Sequence, residues 1–369
     1  MVELDELRAK IKVIGVGGAG GNTINDMVDS GIVGVEFAVA NTDAQDIKKS
    51  KATIKVQLGD KLTKGLGAGA NPEIGKLAAE EDKAKLVSIL ENTDMLFITA
   101  GMGGGTGTGA SPVIAEVARE MGILTIAIVT KPFGFEGPKR KRNADIGIEK
   151  LREFVDAIVI IPNDKLRELP ERKITLQNAF REANNVLKIA VQGMSEVITR
   201  SGFVSLDFAD INAVMKDSGV AMLGFGEAEG TDRVAIATEK ALNNPLLEKP
   251  ISGAYKVLVN ITAGPDFTLE EASEIAENII KTSGNSDLDV MYGIVIDEHM
   301  ENFLRVTVIA TDFENKKVDP LHKPEQREAL FNEEQDDTMT FNRNADVDFG
   351  DDGFGVGAID VPAFLRRKK

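Results

Sequence analysis

Residues 100–112 read AGMGGGTGTGASP, with six glycines in thirteen positions. What flanks the stretch decides how it folds. Before it, DMLFITA (94–100) is short and continuously apolar, the pattern of a strand covered on both faces of a sheet. After it, PVIAEVAREMG (112–122) has helical spacing, and Pro112 suits the first turn of a helix, where its missing N–H forfeits no bond. A short strand-to-helix connection is no place for a slack spacer. The glycines are expected to turn the backbone so that its N–H groups, joined by the Thr106 and Thr108 hydroxyls, surround an anion.

The same logic recurs upstream. IKVIGV (11–16) runs into GVGGAGGNTINDM (15–27), where Gly15, Gly17 and Gly20 satisfy G-x-G-x-x-G between a strand and a helix. That spacing permits a tight turn and brings backbone N–H groups to a phosphate at a helix start, although a ligand-free βα turn uses glycine too. A third loop, GLGAGANP (65–72), also precedes a helix. Three such loops exceed the needs of one pyrophosphate, and a triphosphate with its cation occupies them better. No G-x-x-x-x-G-K-[ST] occurs, so a P-loop is excluded.

Further apolar runs, VEFAVAN (35–41), LTIAIVT (124–130) and AIVIIPN (157–163), make the first half a doubly wound, Rossmann-like parallel α/β sheet over 1–174. Apolar residues spaced by three and four then predict a long central helix over 175–201. A smaller α/β unit over 202–313 follows, with strands in VAMLGFG (220–226), YKVLVNITA (255–263), LDVMYGIVI (288–296) and FLRVTVIATDF (303–313), and a helix in LEEASEIAENIIKT (269–282). Residues 314–357 are polar, acidic and aperiodic, the composition of a disordered tether. The last stretch, 358–369, sets an apolar cluster against four basic residues; it reads either as a frayed end or as a peptide that docks on a partner.

Bulk properties remove several classes. At 369 residues and 43% hydrophobic, the chain can build more than one packed unit. Its 59 Asp and Glu against 43 Lys and Arg leave a net charge of −16, which opposes binding to nucleic acid or anionic lipid. With no cysteine and two histidines, thiolate and His-rich metal sites are excluded; a hard cation held by oxygens and phosphates is not. The charged start, MVELDELRAK, and the lack of any 18-residue apolar run point to a cytoplasmic protein without a membrane span.

These motifs together resemble the tubulin/FtsZ family. GGGTGTG (103–109) is similar to its signature loop, and NTDAQ (41–45), GLGAGANPEIG (65–75), FEGPKRKR (135–142), IPND (161–164), NAFREANNVL (178–187) and DFAD (207–210) follow in the family's order over about residues 10–313. The resemblance implies a GTPase that polymerises head to tail into protofilaments and forms a cytoplasmic ring beneath the membrane at the division site. It implies a GTP or GDP site made of Gly17, Gly18, Ala19, Gly20, Gly21 and Asn22; of Asp43; of Ala68, Gly69 and Ala70; and of Gly101, Gly104, Gly105, Thr106, Gly107 and Thr108. Glu136 and Arg140 match ribose contacts, Phe180 the residue that stacks on guanine, and Asn163 and Asn184 base-side positions. Mg²⁺ is implied chiefly through the phosphates, with no metal site of protein ligands. DVPAFLRRKK resembles the family's C-terminal peptide, which implies membrane tethers and regulators as partners for Asp360, Val361, Pro362, Ala363, Phe364, Leu365 and Arg366.

Local chemistry leaves some of these positions open. Phe180 and Asn184 are four apart and share a helix face, yet a phenylalanine there also reads as core. The resemblance implies that Asp207 and Asp210 enter a neighbouring subunit's site to position the attacking water; SLDFAD reads equally as a capping box. In the candidate site only Asp43 and Glu136 are bases by type. Two departures from the family stand out: Asn at 184, where some members have Asp, and Ser205 in place of Asn, a shorter side chain expected to slow turnover. Two rivals are a regulatory GTPase of the tubulin superfamily outside the division ring, and an NAD-dependent oxidoreductase. The second leaves 65–72 and 100–112 without a role.

Overall fold

Ten strands hydrogen-bond into one sheet in the order β3-β2-β1-β4-β5-β6-β7-β10-β8-β9. They are β1 (Ile11–Val16), β2 (Val35–Asn41), β3 (Ile54–Gln57), β4 (Met95–Gly101), β5 (Leu124–Lys131), β6 (Ala157–Pro162), β7 (Gly219–Glu229), β8 (Lys256–Ala263), β9 (Asp289–Ile296) and β10 (Phe303–Thr311). Every pairing is parallel except those of β10, which runs antiparallel to β7 and β8. The computed structural model describes residues 9–168, 174–175, 178–199, 202–246, 251–285 and 287–313. These fall in one compact unit, Met1–Lys316; the expected tether and terminal peptide lie outside the described residues.

The helices are α1 (Gly17–Asp29), α2 (Ala44–Lys49), α3 (Asp60–Thr63), α4 (Pro72–Glu81), α5 (Lys83–Leu90), α6 (Thr106–Glu120), α7 (Pro138–Arg152), α8 (Ala179–Thr199), α9 (Phe208–Met215), α10 (Arg233–Leu242) and α11 (Leu269–Ser283). Alternate residues of β1 serve opposite layers: Ile11 and Val13 join a core with Ile24 and Met27 of α1 and Leu187 and Val191 of α8. Ile14 and Val16 join a second core with Leu86, Ile114 and Ile148 of α5, α6 and α7. Burial on both faces explains the unbroken apolar runs, each large side chain contributing about 1.5–3 kcal/mol. A third core fills the space between β7, β8, β10 and helices α10 and α11.

Two boundaries differ from expectation. Pro112 does not begin a helix: α6 starts at Thr106 and Pro112 is its seventh residue. Side-chain bonds hold the glycine-rich turn helical, Thr108 Oγ1 accepting from Gly103 N–H at 2.8 Å and Ser111 Oγ donating to Gly107 O at 2.6 Å. The helix thus absorbs a proline that cannot donate to the Thr108 carbonyl. The other is β3, four residues on the sheet edge, too short to register as a run in the sequence. The long helix α8 follows a turn in which Thr175 N–H donates to Asn178 Oδ1 at 2.7 Å.

In the third core the buried Arg233 guanidinium meets Glu271 at 2.7 and 2.9 Å and Asp266 at 2.6 Å. The hydrogen bonds from Arg233 hold the Glu271 carboxyl below its usual range against the opposing effect of burial. At Asp266 burial pushes upward, but Arg233 and backbone N–H groups outweigh it and the carboxyl is also lowered. Stability from this triad is therefore complete above the unfolded carboxylate range, near pH 4, and is lost as pH falls through the lowered folded values. Arg233→Met should cost about 3 kcal/mol in urea unfolding at neutral pH and flatten the acid limb of the stability profile.

Candidate functional site

The strand order reverses beside β1, which has β2 on one side and β4 on the other, and residues pair Val16 with Ala100. The turns that leave β1 and β4 are therefore adjacent at the carboxyl edge of the sheet, where ligands of doubly wound folds bind. A cleft of about 510 Å³ opens there.

Its floor is two helix starts. The N-caps of α1 and α6, Val16 and Gly105, make no side-chain capping bond, so first-turn N–H groups of both helices are left for an anion. By contrast α4 is capped by Asn71, whose side chain accepts from Glu73 N–H, so the 65–72 loop borders the cleft with Gly67 and Ala70 rather than with a bare helix end. The two uncapped turns touch because Gly17, at φ 72°, has no Cβ; one there would lie 2.9 Å from Gly107 N. A Cβ on Gly104 would instead meet no atom within 4 Å, so the cleft side of the signature loop is open.

The far end of the cleft is aromatic and amidic. Phe180 is 51% exposed, its ring edge-on to Phe133 and Phe135 with centroids 5.5 and 6.2 Å away, so it is not a core residue. Asn163 is only 4% exposed, yet its Oδ1 has no hydrogen-bond partner. Asn184 accepts from Thr23 Oγ1 at 3.3 Å, and Glu136 accepts from both Arg140 at 2.5 Å and Phe133 N–H at 2.9 Å.

Of the expected positions, Gly17, Gly18, Ala19, Asp43, Ala70, Gly101, Gly104, Gly105, Thr106, Gly107, Glu136, Arg140, Asn163, Phe180 and Asn184 line this one cleft. Gly20, Gly21, Asn22, Ala68, Gly69 and Thr108 do not. Gly20 lies under the turn, where a Cβ would meet Thr99 O at 2.5 Å; Ala68 is buried against Gly105; and the buried Thr108 hydroxyl is turned onto Gly103 N–H. Asp207 and Asp210 sit at the start of α9, outside the cleft, in the reciprocal capping box that their spacing allowed: Asp210 N–H donates to Asp207 Oδ1 at 2.8 Å and Asp207 N–H to Asp210 Oδ2 at 3.1 Å.

Asn41, Thr42 and Asp46 also line the cleft and were missed. Thr42 shares a 2.7 Å hydroxyl contact with Thr106, and Asn41 Nδ2 donates to Asp46. Their signal was positional: Asn41 ends β2, a neighbour of β1, and Thr42 and Asp46 follow it at the same sheet edge. Asp43 is engaged as the cap of α2, accepting from Gln45 N–H at 2.8 Å.

Comparison with known proteins agrees with this construction. Residues 10–171 match the tubulin/FtsZ family GTPase domain and residues 219–314 the FtsZ family C-terminal domain. The class is thus the tubulin-like GTPase fold. Among solved structures the chain is similar to the FtsZ dimer of M. jannaschii, solved empty, at 42% identity over 87% of this chain and 96% of that one, TM-score 0.79. It is also similar to a mutant FtsZ from M. jannaschii, at 44% identity over 84% and 92%, TM-score 0.79. The CetZ2 protofilament of Haloferax volcanii with GTPγS bound shares the fold, at 22% identity over 88% and 99%, TM-score 0.70. The chain belongs to the FtsZ family.

Thr108→Val keeps the shape of that side chain and removes the acceptor of Gly103 N–H. The buried donor left behind should cost about 1–3 kcal/mol of stability and, by loosening the loop, weaken GTP binding measured by filter retention.

Proposed function

We propose that this protein binds GTP in the cleft, assembles head to tail into protofilaments, and hydrolyses the nucleotide at the contact between subunits to build a division ring under the cytoplasmic membrane. The observation that carries the binding step is the pair of uncapped helix starts, α1 and α6, on one cleft. In this reading their N–H groups take the phosphates, the half-exposed Phe180 ring stacks on the base, and the unpartnered Asn163 Oδ1 accepts from a base N–H. In this reading residues 1–174 form the nucleotide unit, 175–201 the connecting helix and 202–313 the activating unit. Mg²⁺, held chiefly through the phosphates, would offset charge on them.

Hydrolysis draws on the exposed loop before α9. Each carboxylate of the Asp207–Asp210 box spends one oxygen on the cap and keeps a second, and the loop also exposes Phe203 to 85%. An apolar side chain so exposed beside two acids fits a surface that another copy covers. The acids then orient water against the neighbour's terminal phosphate, and the site is complete only in the polymer. Asp360 to Arg366 would recruit membrane tethers and regulators.

Light scattering and pelleting with Mg²⁺ should give polymer with GTP and none with GDP or NADH; assembly indifferent to the nucleotide would refute this reading. Asp210→Asn preserves the capping bond and should bind GTP and assemble, with hydrolysis down about 10²-fold or more. Ser205 Oγ accepts from Gly202 N–H at 3.0 Å, folding the hydroxyl onto its own loop. Ser205→Asn should therefore raise the hydrolysis rate at equal polymer mass, and an unchanged rate would discard any role for this position.

A further inference from the structure

One stretch of this acidic chain is strongly basic. Residues 46–64 hold six lysines, Lys48, Lys49, Lys51, Lys55, Lys61 and Lys64, against two acids, Asp46 and Asp60, in a molecule whose net charge is −16. All six are exposed. Lys51 is paired with Asp29, its Nζ 2.6 Å from Oδ1, whereas the other five make no ion pair among the described residues.

The fold lines these lysines up. β3 ends the sheet and among the described residues pairs only with β2, so its outer edge is free. Lys55 stands in register with Val39, which belongs to the core under α1 and α8, so it projects on that face while Val56 turns to the opposite core. On the face of Lys55, α2 packs against α1, β2 and β3, and its last turn carries Lys48 and Lys49. Lys51 comes just before β3; Lys61 lies in α3, just after it, and Lys64 ends that helix. The result is a basic stripe along the free edge, from the amino end of β3 to its carboxyl end. Local needs account for part of it only. Lys55 guards an edge strand against pairing with another sheet, and a lysine in the last turn of α2 suits the carboxyl end of that helix. Neither need calls for six.

We propose that this stripe is a docking surface for the anionic headgroups of a membrane. The net charge of −16 does not forbid it, because at physiological salt charges more than about 8 Å from the headgroups are largely screened and the lysines at the edge dominate what the surface meets. A membrane fits better than a nucleic acid: residues 46–64 contain no aromatic side chain to stack on bases, and the exposed Leu62 sits between Lys61 and Lys64, where an apolar side chain suits a headgroup layer. Docking rests on the head-to-tail reading above for its strength. A few lysines hold one subunit weakly, whereas a filament repeats the stripe once per subunit and engages many at once. The surface is separate from the nucleotide cleft and from the Asp207–Asp210 box, and it holds the filament by its flank.

The test uses the full chain with Mg²⁺ at about 100 mM salt. Pelleting without lipid reports assembly alone; flotation with vesicles of phosphatidylcholine containing about one-third phosphatidylglycerol reports docking. Polymer formed with GTP should float with these vesicles and not with pure phosphatidylcholine, and the chain with GDP should stay behind. Lys48→Glu, Lys49→Glu and Lys55→Glu together should pellet like the native chain and lose about tenfold or more of the floated fraction, and Lys48→Gln, Lys49→Gln and Lys55→Gln together should lose less. Arg366→Gln, Arg367→Gln, Lys368→Gln and Lys369→Gln together should leave flotation within about twofold of native, which separates the stripe from the basic chain end. A glutamate triple that floats like the native chain, or flotation that vanishes with the chain-end variant, overturns the proposal. So does native polymer that ignores the vesicles and retains duplex DNA on filters instead. A native chain that never pellets with GTP overturns the head-to-tail reading and the filament docking with it; one that pellets and does not float overturns the docking alone.

Discussion

The contact between two backbone turns governs the rest of this molecule. β1 and β4 are neighbours, so the turns that follow them compete for the same space, and they fit only because Gly17 presents no side chain to Gly107. That approach sets α1 and α6 side by side with their first-turn N–H groups unclaimed. It is unfavourable in isolation, since two like partial charges are brought together. The arrangement becomes favourable with an anion between them. Cores on both faces of the sheet hold the two helices in place, Ile24 and Met27 on one side and Ile114 on the other. Fold and binding thus share one geometric condition.

Much of this was legible in the sequence because it follows from short-range rules. The continuous apolar runs at 11–16, 35–41 and 124–130 fall on β1, β2 and β5 within a residue, as burial on both faces requires. The acidic pair at 207 and 210 forms its capping box, the bland reading of those residues, and that box leaves room for a second role. Phe180 was readable either way from helical spacing alone, and only the packing of Phe133 and Phe135 against its edge decides that half of the ring stays exposed.

What escaped the sequence depends on competition between local preferences. Pro112 favours a helix start, but Thr108 and Ser111 fold the glycine turn into the helix first, so the proline is carried inside. Thr108 reads in the sequence as a donor toward a ligand; in the fold its buried oxygen accepts from Gly103 N–H and shapes the loop. Asn71 caps α4 and so removes the 65–72 loop from the set of bare helix ends, although its glycines resemble the other two loops. Asp46 enters the cleft from α2 by topology, with no glycine signal near it. For Thr108, Ser111 and Asn71 a side-chain hydrogen bond, invisible in composition and spacing, decides which polar group is left for something outside the chain.

Among the described residues the carboxylates that line the cleft are Asp43, Asp46 and Glu136, and each is tied to its own wall: to the cap of α2, to Asn41, and to Arg140. A carboxylate held by its own wall and placed among anionic phosphates is a poor choice for steering water. Asp207 and Asp210 lie outside the cleft at the start of α9, beyond a loop whose Phe203 is bare. On the proposed reading they act only when a second subunit arrives, so free subunits keep their nucleotide intact. On the same reading that arrival covers Phe203, which offsets part of the repulsion between chains that each carry −16. Self-association and hydrolysis then depend on one surface, and a loop that sequence alone could explain as a helix cap becomes the timing element of the cycle.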